Sequence, residues 1–485
     1  MFQLFQRPTC PLLRDSSDLN ILNIIPDMKI FSLVCLIIYI AINSLTTNPL
    51  GDKFILATGI LFLIMNICYL YKYRRNQLIC FEFLFAIAFF LCSFLTPYIY
   101  SLLDNYQGRT FVATDYNTFR VYCIAFIGYC AYMFGLCCIK DGNQNRPGTI
   151  WYQYFFNNAT CKYSNILCFI FVVLFYLTGG SRLITLYSDV ASDLNQRYGA
   201  WGEYMTYAMY AYTLSIVINF SKIGPYTASL ISFFKNLPFF FYINSLLLVV
   251  PLLISGLRSS ALQLLIPLIM MYGITIKRIS SIKVIALILA GYIFMVFIGL
   301  IRSGDTGGDL GQDSLFLTFV YDFVSANGAN SFLIDYTDKY GIAGGSNMIL
   351  QTLSIIPFFQ SIILSFVSKD NFAPKSSKFF TESFMDSTQG GLGTALIGDI
   401  YYSFGIVGVI ILMFLIGLLV NKLSRAHNSP YAIALLIMFS GNALFAPRVE
   451  YCYILRSLSY TIIFLYIILS VSHNRSASNE CSLRN

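Results

Sequence analysis

FFFYINSLLLVVPLLISGLRSSALQLLIPLIMMYGITI, residues 239–276, is the stretch that decides the fold. Arg258 is its one charged residue, and it separates two apolar runs that extend over 238–255 and 259–276. A helix rising about 1.5 Å per residue needs roughly 17–25 apolar residues to cross about 30 Å of hydrocarbon. Each run has that length. The stretch therefore reads as two membrane-crossing helices with a guanidinium at the turn between them.

The same pattern recurs outward in both directions. Spans are expected near 30–46, 54–71, 78–103, 119–139, 163–178, 204–220, 284–301, 396–421, 431–446 and 451–471 besides the two above. Composition agrees, since 57% of the 485 residues are hydrophobic and only 11% are charged, where a soluble domain carries about a quarter charged. The expected fold class is an all-α polytopic integral membrane protein with about twelve transmembrane helices, eleven to thirteen given ambiguous stretches such as 347–367.

Orientation follows from counting basic residues loop by loop. With the N-terminus in the cytoplasm, the inner segments collect 18 basic and 5 acidic residues and the outer ones 13 and 17, with Glu82 left inside a span. Both termini are then inside. The net charge of +8 is thus a signature of topology, and no basic patch interleaved with aromatics points to nucleic acid. The resulting division is a cytoplasmic tail 1–29, nine helices over 30–301, a large periplasmic loop 302–395, three helices over 396–471 and a cytoplasmic tail 472–485.

Most of the 13 cysteines, such as Cys35, Cys68, Cys92, Cys123, Cys130 and Cys168, fall within spans, so no disulfide framework is implied. The first 28 residues lack the apolar core and small-residue cleavage site of a signal peptide. HExxH, CxxC and GxxxxGK[ST] motifs are all missing, and His427 and His473 both fall on the inner side. These features argue against a zinc hydrolase and an ATP-driven pump. No cofactor and no metal site is expected: Asp305, Asp309 and Asp313 alternate with glycines, but they do not meet the EF-hand pattern.

The large loop has structure of its own. Leu315, Phe316, Phe319, Val320, Phe323 and Val324 repeat at helical spacing, which predicts an amphipathic helix on the membrane surface or over a cavity. Residues 347–367 are apolar enough to span, but spanning would invert Lys422 and Arg425 and break the charge bias. Gln351, Ser354, Pro357, Gln360 and Ser361 fit a re-entrant or interfacial helix better.

Chemistry is then sought at the outer face, where Arg182, Arg258, Arg302, Arg448 and Arg456 stand. Arginine at helix ends on this side needs a local partner, and its planar fork matches phosphate. The competing reading of each is an anchor that snorkels to headgroups or pairs with an acid. Glu450 is such an acid for Arg456, and Arg182 is either a substrate contact or an anchor. Gly390, Gly391 and Gly393, in GGLGT ahead of a helix, either expose backbone amides to an anion or form a hinge. Glu382, Asp322 and Asp399 are the candidate general bases, a role that apolar surroundings can tune, and solvation in a loop is their alternative.

The stations SGLRSS, LIRSGD, LTFVYDF, FFTESF, GGLGTALIGDIYYSFGIVGV and APRVEYCYILRS occur in an order that resembles the Wzy-type polymerases of O-antigen and related repeat-unit polysaccharides. The resemblance covers roughly residues 170–471. It implies a glycosyltransferase of the bacterial inner membrane that joins undecaprenyl-diphosphate-linked oligosaccharide repeat units at the periplasmic face. It also implies a flippase and a chain-length regulator as partners in the same membrane. On this reading Arg258, Arg302, Arg448 and Arg456, with the three glycines, hold the diphosphate, and Glu382, Asp322 or Asp399 serves as base or touches sugar.

Two other classes compete with this reading. An O-antigen ligase would share the arginines and the lipid donor, and the lack of an outer-face histidine leans away from it. A flippase should have two similar halves and charge at mid-depth; here the halves differ and one large loop lies on one side only.

Overall fold

The computed structural model describes residues 27–46, 52–73, 80–95, 115–138, 156–181, 200–223, 230–254, 258–276, 279–280, 283–284, 286–287, 290–291, 315–353, 355–356, 359–367, 374–384, 393–425 and 429–482. No strand occurs among them. The helices run α1 (Met28–Leu45), α2 (Asp52–Tyr73), α3 (Phe81–Ser93), α4 (Asp115–Cys137), α5 (Asn158–Leu177), α6 (Ala200–Ile223), α7 (Leu230–Lys235), α8 (Phe239–Ile254) and α9 (Arg258–Thr275). Then come α10 (Leu315–Tyr340), the short α11 (Ile349–Leu353), α12 (Phe359–Leu364) and α13 (Ser376–Phe384), and finally α14 (Leu396–Arg425), α15 (Pro430–Gly441) and α16 (Tyr451–Ser482).

By length and composition α1, α2, α4, α5, α14 and α16 are suited to cross a membrane, and α3, α8, α9 and α15 are shorter apolar helices. Helix α6 covers the span expected at 204–220, with Thr213, Ser215 and Asn219 buried against its neighbours. The span expected at 284–301 lies almost wholly outside the described residues. Local signals set several helix starts. The Asp27 side chain accepts from Lys29 N at 3.1 Å at the head of α1, Asn157 Oδ1 accepts from Thr160 N at 2.8 Å at the head of α5, and Pro430 opens α15.

The bundle buries scattered polar side chains within an apolar core and turns an apolar exterior outward. Ile30, Ile37, Leu246, Val407 and Ile411 are exposed, while Thr58, Asn165, Asn219 and Asn244 are buried. Water would not tolerate so much exposed aliphatic surface, and lipid does. Helix α4 is the axis of the molecule. Its apolar window is 89% buried against 28% for α1, and it packs chiefly along α14 and α1. Close approach to α14 depends on small residues. A Cβ on Gly135 would collide with Phe414 O, and one on Gly417 with Tyr132 O.

The large loop folds into the bundle. Helix α10 continues well past the expected amphipathic stretch, and Ala326, Asn327, Ala329, Asn330, Leu333 and Ile334 are buried where it packs on α14, α3 and α4. Its second half, beyond the stretch expected to be amphipathic, is therefore lodged in protein. The reason is polar: the Asn330 amide oxygen accepts from Gly398 N at 2.7 Å, a helix-start donor with no partner within its own helix. Residues 346–364 form a 3-10 turn, Ser346–Met348, and the short α11 and α12, with no continuous helix of spanning length among the described residues.

Helix α14 is broken at Gly405, whose φ of 65° and ψ of −162° are not helical. The break frees carbonyls, and the chain after α10 takes them: Ala343 N donates to Tyr402 O at 2.9 Å and Gly345 N to Ser403 O at 3.1 Å. Backbone at membrane depth is tolerated only when satisfied in this way. The consequence is a separate buried segment, Leu396–Phe404, that carries Asp399. Gly405→Ala is expected to lower the thermal stability of the detergent-purified protein, by about 1–3 kcal/mol for a Cβ forced to positive φ. An unchanged melting temperature would show that the helix straightens without cost.

Candidate functional site

Asp399 is the hinge of a polar cluster at one end of the bundle. It is fully buried, its Oδ1 accepts from Ser376 Oγ at 2.6 Å, and its Oδ2 accepts from Tyr451 N at 3.1 Å. One carboxyl group thereby joins the first residue of α13 to the first residue of α16. An acid at a helix N-terminus is also favoured by the helix dipole. Thr394 Oγ1 donates to Ser376 Oγ at 3.0 Å, and Ser403 Oγ donates to Asp399 O at 2.8 Å while accepting from Asn347 Nδ2 at 3.0 Å.

Glu450 repeats the arrangement one residue along. Its Oε1 accepts from Ser377 Oγ at 2.6 Å, and its Oε2 accepts from Gln351 Nε2. Ser376 and Ser377 thus present consecutive hydroxyls to two acids, Asp399 in the first turn of α14 and Glu450 just ahead of α16. Between these anchors and α15 lies the 3-10 turn Ala446–Arg448, which packs against α3 and α14. Arg448 is half-buried there, within electrostatic reach of the Cys92 thiol. Its position is set by bonds on both sides: Arg448 N donates to Phe445 O at 2.7 Å, and Glu450 and Tyr451 N are held as described.

Helix α9 begins at the same end. Gln263 Nε2 donates to Tyr453 OH at 3.4 Å, which sets the first turns of α9 and α16 side by side. Arg258 opens α9 and is described by its backbone alone. The same holds for Asp322 within α10, while Arg182, Arg302, Gly390 and Gly391 lie outside the described residues. Gly393, three residues before α14 begins at Leu396, has a φ of 77°, a conformation that side chains rarely adopt.

The structure separates the remaining candidates. Arg456 pairs with Glu203 of α6, and its guanidinium lies 5.7 Å from the centre of the Tyr460 ring. Its compensating acid is therefore Glu203 and not Glu450, because Glu450 is occupied by α11 and α13. Glu382 is exposed on α13 and pairs with Lys378 at 3.2 Å, away from the buried cluster. An aromatic patch covers the neighbouring surface. Phe379 stacks on Tyr402 at 5.8 Å, Tyr336 meets Phe379 edge-on at 4.7 Å, and Tyr340 beside them is mostly exposed.

Sequence reasoning missed one interaction of clear architectural weight. Arg120 Nε donates to Asp338 Oδ2 at 2.6 Å and its Nη2 to Asp338 Oδ1 at 3.1 Å, a bidentate pair. Its Nη1 donates to Asn43 Oδ1 at 3.0 Å, and Tyr401 OH donates to Asp338 Oδ1 at 2.6 Å. Four helices meet there, α1, α4, α10 and α14, so the large loop is clamped to the bundle. The available signal was an arginine inside the first turn of an expected span, which needs a partner wherever it sits.

The site is thus a set of acids and hydroxyls that fixes an arginine-bearing turn, flanked by aromatic surface, at one end of an apolar bundle. No curated protein and no solved structure matches the chain significantly. A family model described as O-antigen polysaccharide polymerase Wzy matches residues 28–475, nearly the whole chain. A match of that extent means that the chain belongs to the Wzy family of O-antigen polysaccharide polymerases.

Proposed function

We propose that this polymerase takes its glycan donor from undecaprenyl diphosphate at the periplasmic face of the bacterial inner membrane, in lipopolysaccharide biosynthesis. In the proposed step an acceptor sugar hydroxyl oxygen bonds to the donor anomeric carbon. The bond from that carbon to the diphosphate oxygen breaks, the lipid diphosphate leaves with the bonding pair, and the hydroxyl proton passes to a carboxylate. Charge develops on the leaving diphosphate, so fixed cations are worth most there.

The observation that supports this reading most is the anchoring of the turn that carries Arg448, whose backbone and flanking residues Glu450 and Tyr451 are held by hydrogen bonds beside α3, because a cation on a fixed backbone needs little reorganisation to meet developing charge. Arg258 and Arg302 are assigned with it to the diphosphate, together with the amides around Gly390, Gly391 and Gly393. Arg456 joins them only by exchanging Glu203 for phosphate. Asp399 acts as a positioning residue, since both its oxygens are engaged. Glu382 is the base or sugar contact favoured by accessibility, next to the aromatic patch on which sugar faces can stack. Asp322 is the alternative base, and Arg182 an accessory contact. A flippase and a chain-length regulator are the expected partners, with no cofactor required.

One gel tests the reaction class. Loss of the gene is expected to leave lipid A core carrying a single repeat unit, seen as one band above unsubstituted core. Core with no attached glycan would instead indicate a ligase, and an intact ladder would overturn both.

A further inference from the structure

The end of the bundle opposite Arg448 holds a cavity of about 330 Å³ between α5, α6 and the start of α8. Opposite is fixed by two contacts: Arg456 with Glu203 and Tyr451 N with Asp399 set the starts of α6, α14 and α16 at one end, so the end of α6 lies at the other. A single water needs only roughly 10–15 Å³, so the cavity has room for a polyatomic group. Lys162 and Lys222 line it, and no carboxylate among the described residues pairs with either.

One of its lining residues carries a buried, unmet acceptor. Asn219 is fully buried and lines the cavity. Its Nδ2 donates to Ser215 O at 2.7 Å and Ser215 Oγ at 3.1 Å, and Ser215 Oγ donates in turn to Asn165 Oδ1 at 2.8 Å. That chain of bonds fixes which way the amide faces and leaves Asn219 Oδ1 without a partner. A buried polar atom left so costs about 1–3 kcal/mol unless a donor reaches it. The rim is apolar, with Phe240 and Ile223 at the cavity and the exposed Phe239, Leu246 and Val250 continuing along α8.

Two cations, one buried acceptor and a lipid-facing apolar rim describe a ligand with a phosphate, a hydrogen-bond donor beyond it and hydrocarbon behind it. We infer that this cavity binds the headgroup of an anionic, hydroxyl-bearing phospholipid, with its phosphate between Lys162 and Lys222 and a headgroup hydroxyl donating to Asn219 Oδ1. The site is separate from the polymerising end and does not depend on the roles assigned there. In the orientation proposed above it opens to the cytoplasmic leaflet.

The test uses the purified full-length protein in neutral detergent, read by lipid retention in native mass spectrometry and by thermal unfolding. Added phosphatidylglycerol is expected to stay bound and to raise the melting temperature. Phosphatidylcholine and water-soluble glycerol 1-phosphate are expected to do neither, and phosphatidylmethanol, which lacks headgroup hydroxyls, to bind at least tenfold more weakly. The Lys162→Ala, Lys222→Ala double variant should lose the response, and the Lys162→Arg, Lys222→Arg variant should keep it. Should the alanine pair fail to fold, Lys222→Gln alone supplies the comparison. Equal responses in wild type and the lysine-deficient variant would overturn the site. A response to glycerol 1-phosphate equal to that of phosphatidylglycerol would overturn the lipid in favour of a free phosphate.

Discussion

Arg448→Ala is expected to leave folded protein in the membrane and to remove long glycan chains. The guanidinium belongs to a short turn whose neighbours Phe445, Glu450 and Tyr451 keep their backbone and side-chain bonds without it, so the loss of fold should be small. Removing one fixed donor from a developing anion costs about 10²–10³ in rate. A processive ladder amplifies that deficit, because each added repeat must survive the slower step. The readout is a stained lipopolysaccharide gel beside an immunoblot of membrane protein. Arg448→Lys retains a point charge but not the fork, and it should give shortened chains. A normal ladder from the alanine variant would remove Arg448 from the diphosphate site.

Asp399→Ala should fail differently, by loosening the structure. It strands the Ser376 hydroxyl and the Tyr451 N–H in a buried setting, at roughly 1–3 kcal/mol for each orphaned donor. Interhelical hydrogen bonds in membranes average only about 0.6 kcal/mol when both partners can find substitutes. Here neither partner can, since Asp399 is sealed beneath α13 and the head of α16. A lowered melting temperature and a fragmented ladder are expected together. Asp399→Asn keeps one acceptor oxygen and should lose less of both. If the asparagine variant melts like wild type yet makes no polymer, Asp399 acts on substrate and the positioning role is wrong.

The membrane character of the chain was legible because it rests on run length and on the scarcity of charge, both local properties. The helices at 28–45, 52–73, 158–177 and 396–425 fall where apolar runs predict them, within a few residues. The kink at Gly405 was not legible. A glycine in an apolar run reads as ordinary helix until it is known that residues 343–345 come to occupy the carbonyls it frees. Tyr402 and Ser403 give no hint of that in sequence.

Charge was legible as an inventory and illegible as a set of pairs. Arg448, Arg456, Asp399 and Glu450 stand out in the sequence near the ends of apolar runs, but which acid meets which base depends on contacts across up to 253 residues, as between Glu203 and Arg456. Asp338 and Arg120 are 218 positions apart.

Sequence alone therefore determined the solvent of this protein, the number of apolar runs and the residue types available for binding a diphosphate, because hydrophobicity and side-chain chemistry need no partner to be read. Tertiary structure alone decided which acids are structural and which are accessible, that α10 is lodged in the bundle, and that Arg120 clamps it there. Hydrogen bonds and ion pairs form between helices, and the chain order of an apolar bundle does not encode which faces of those helices meet.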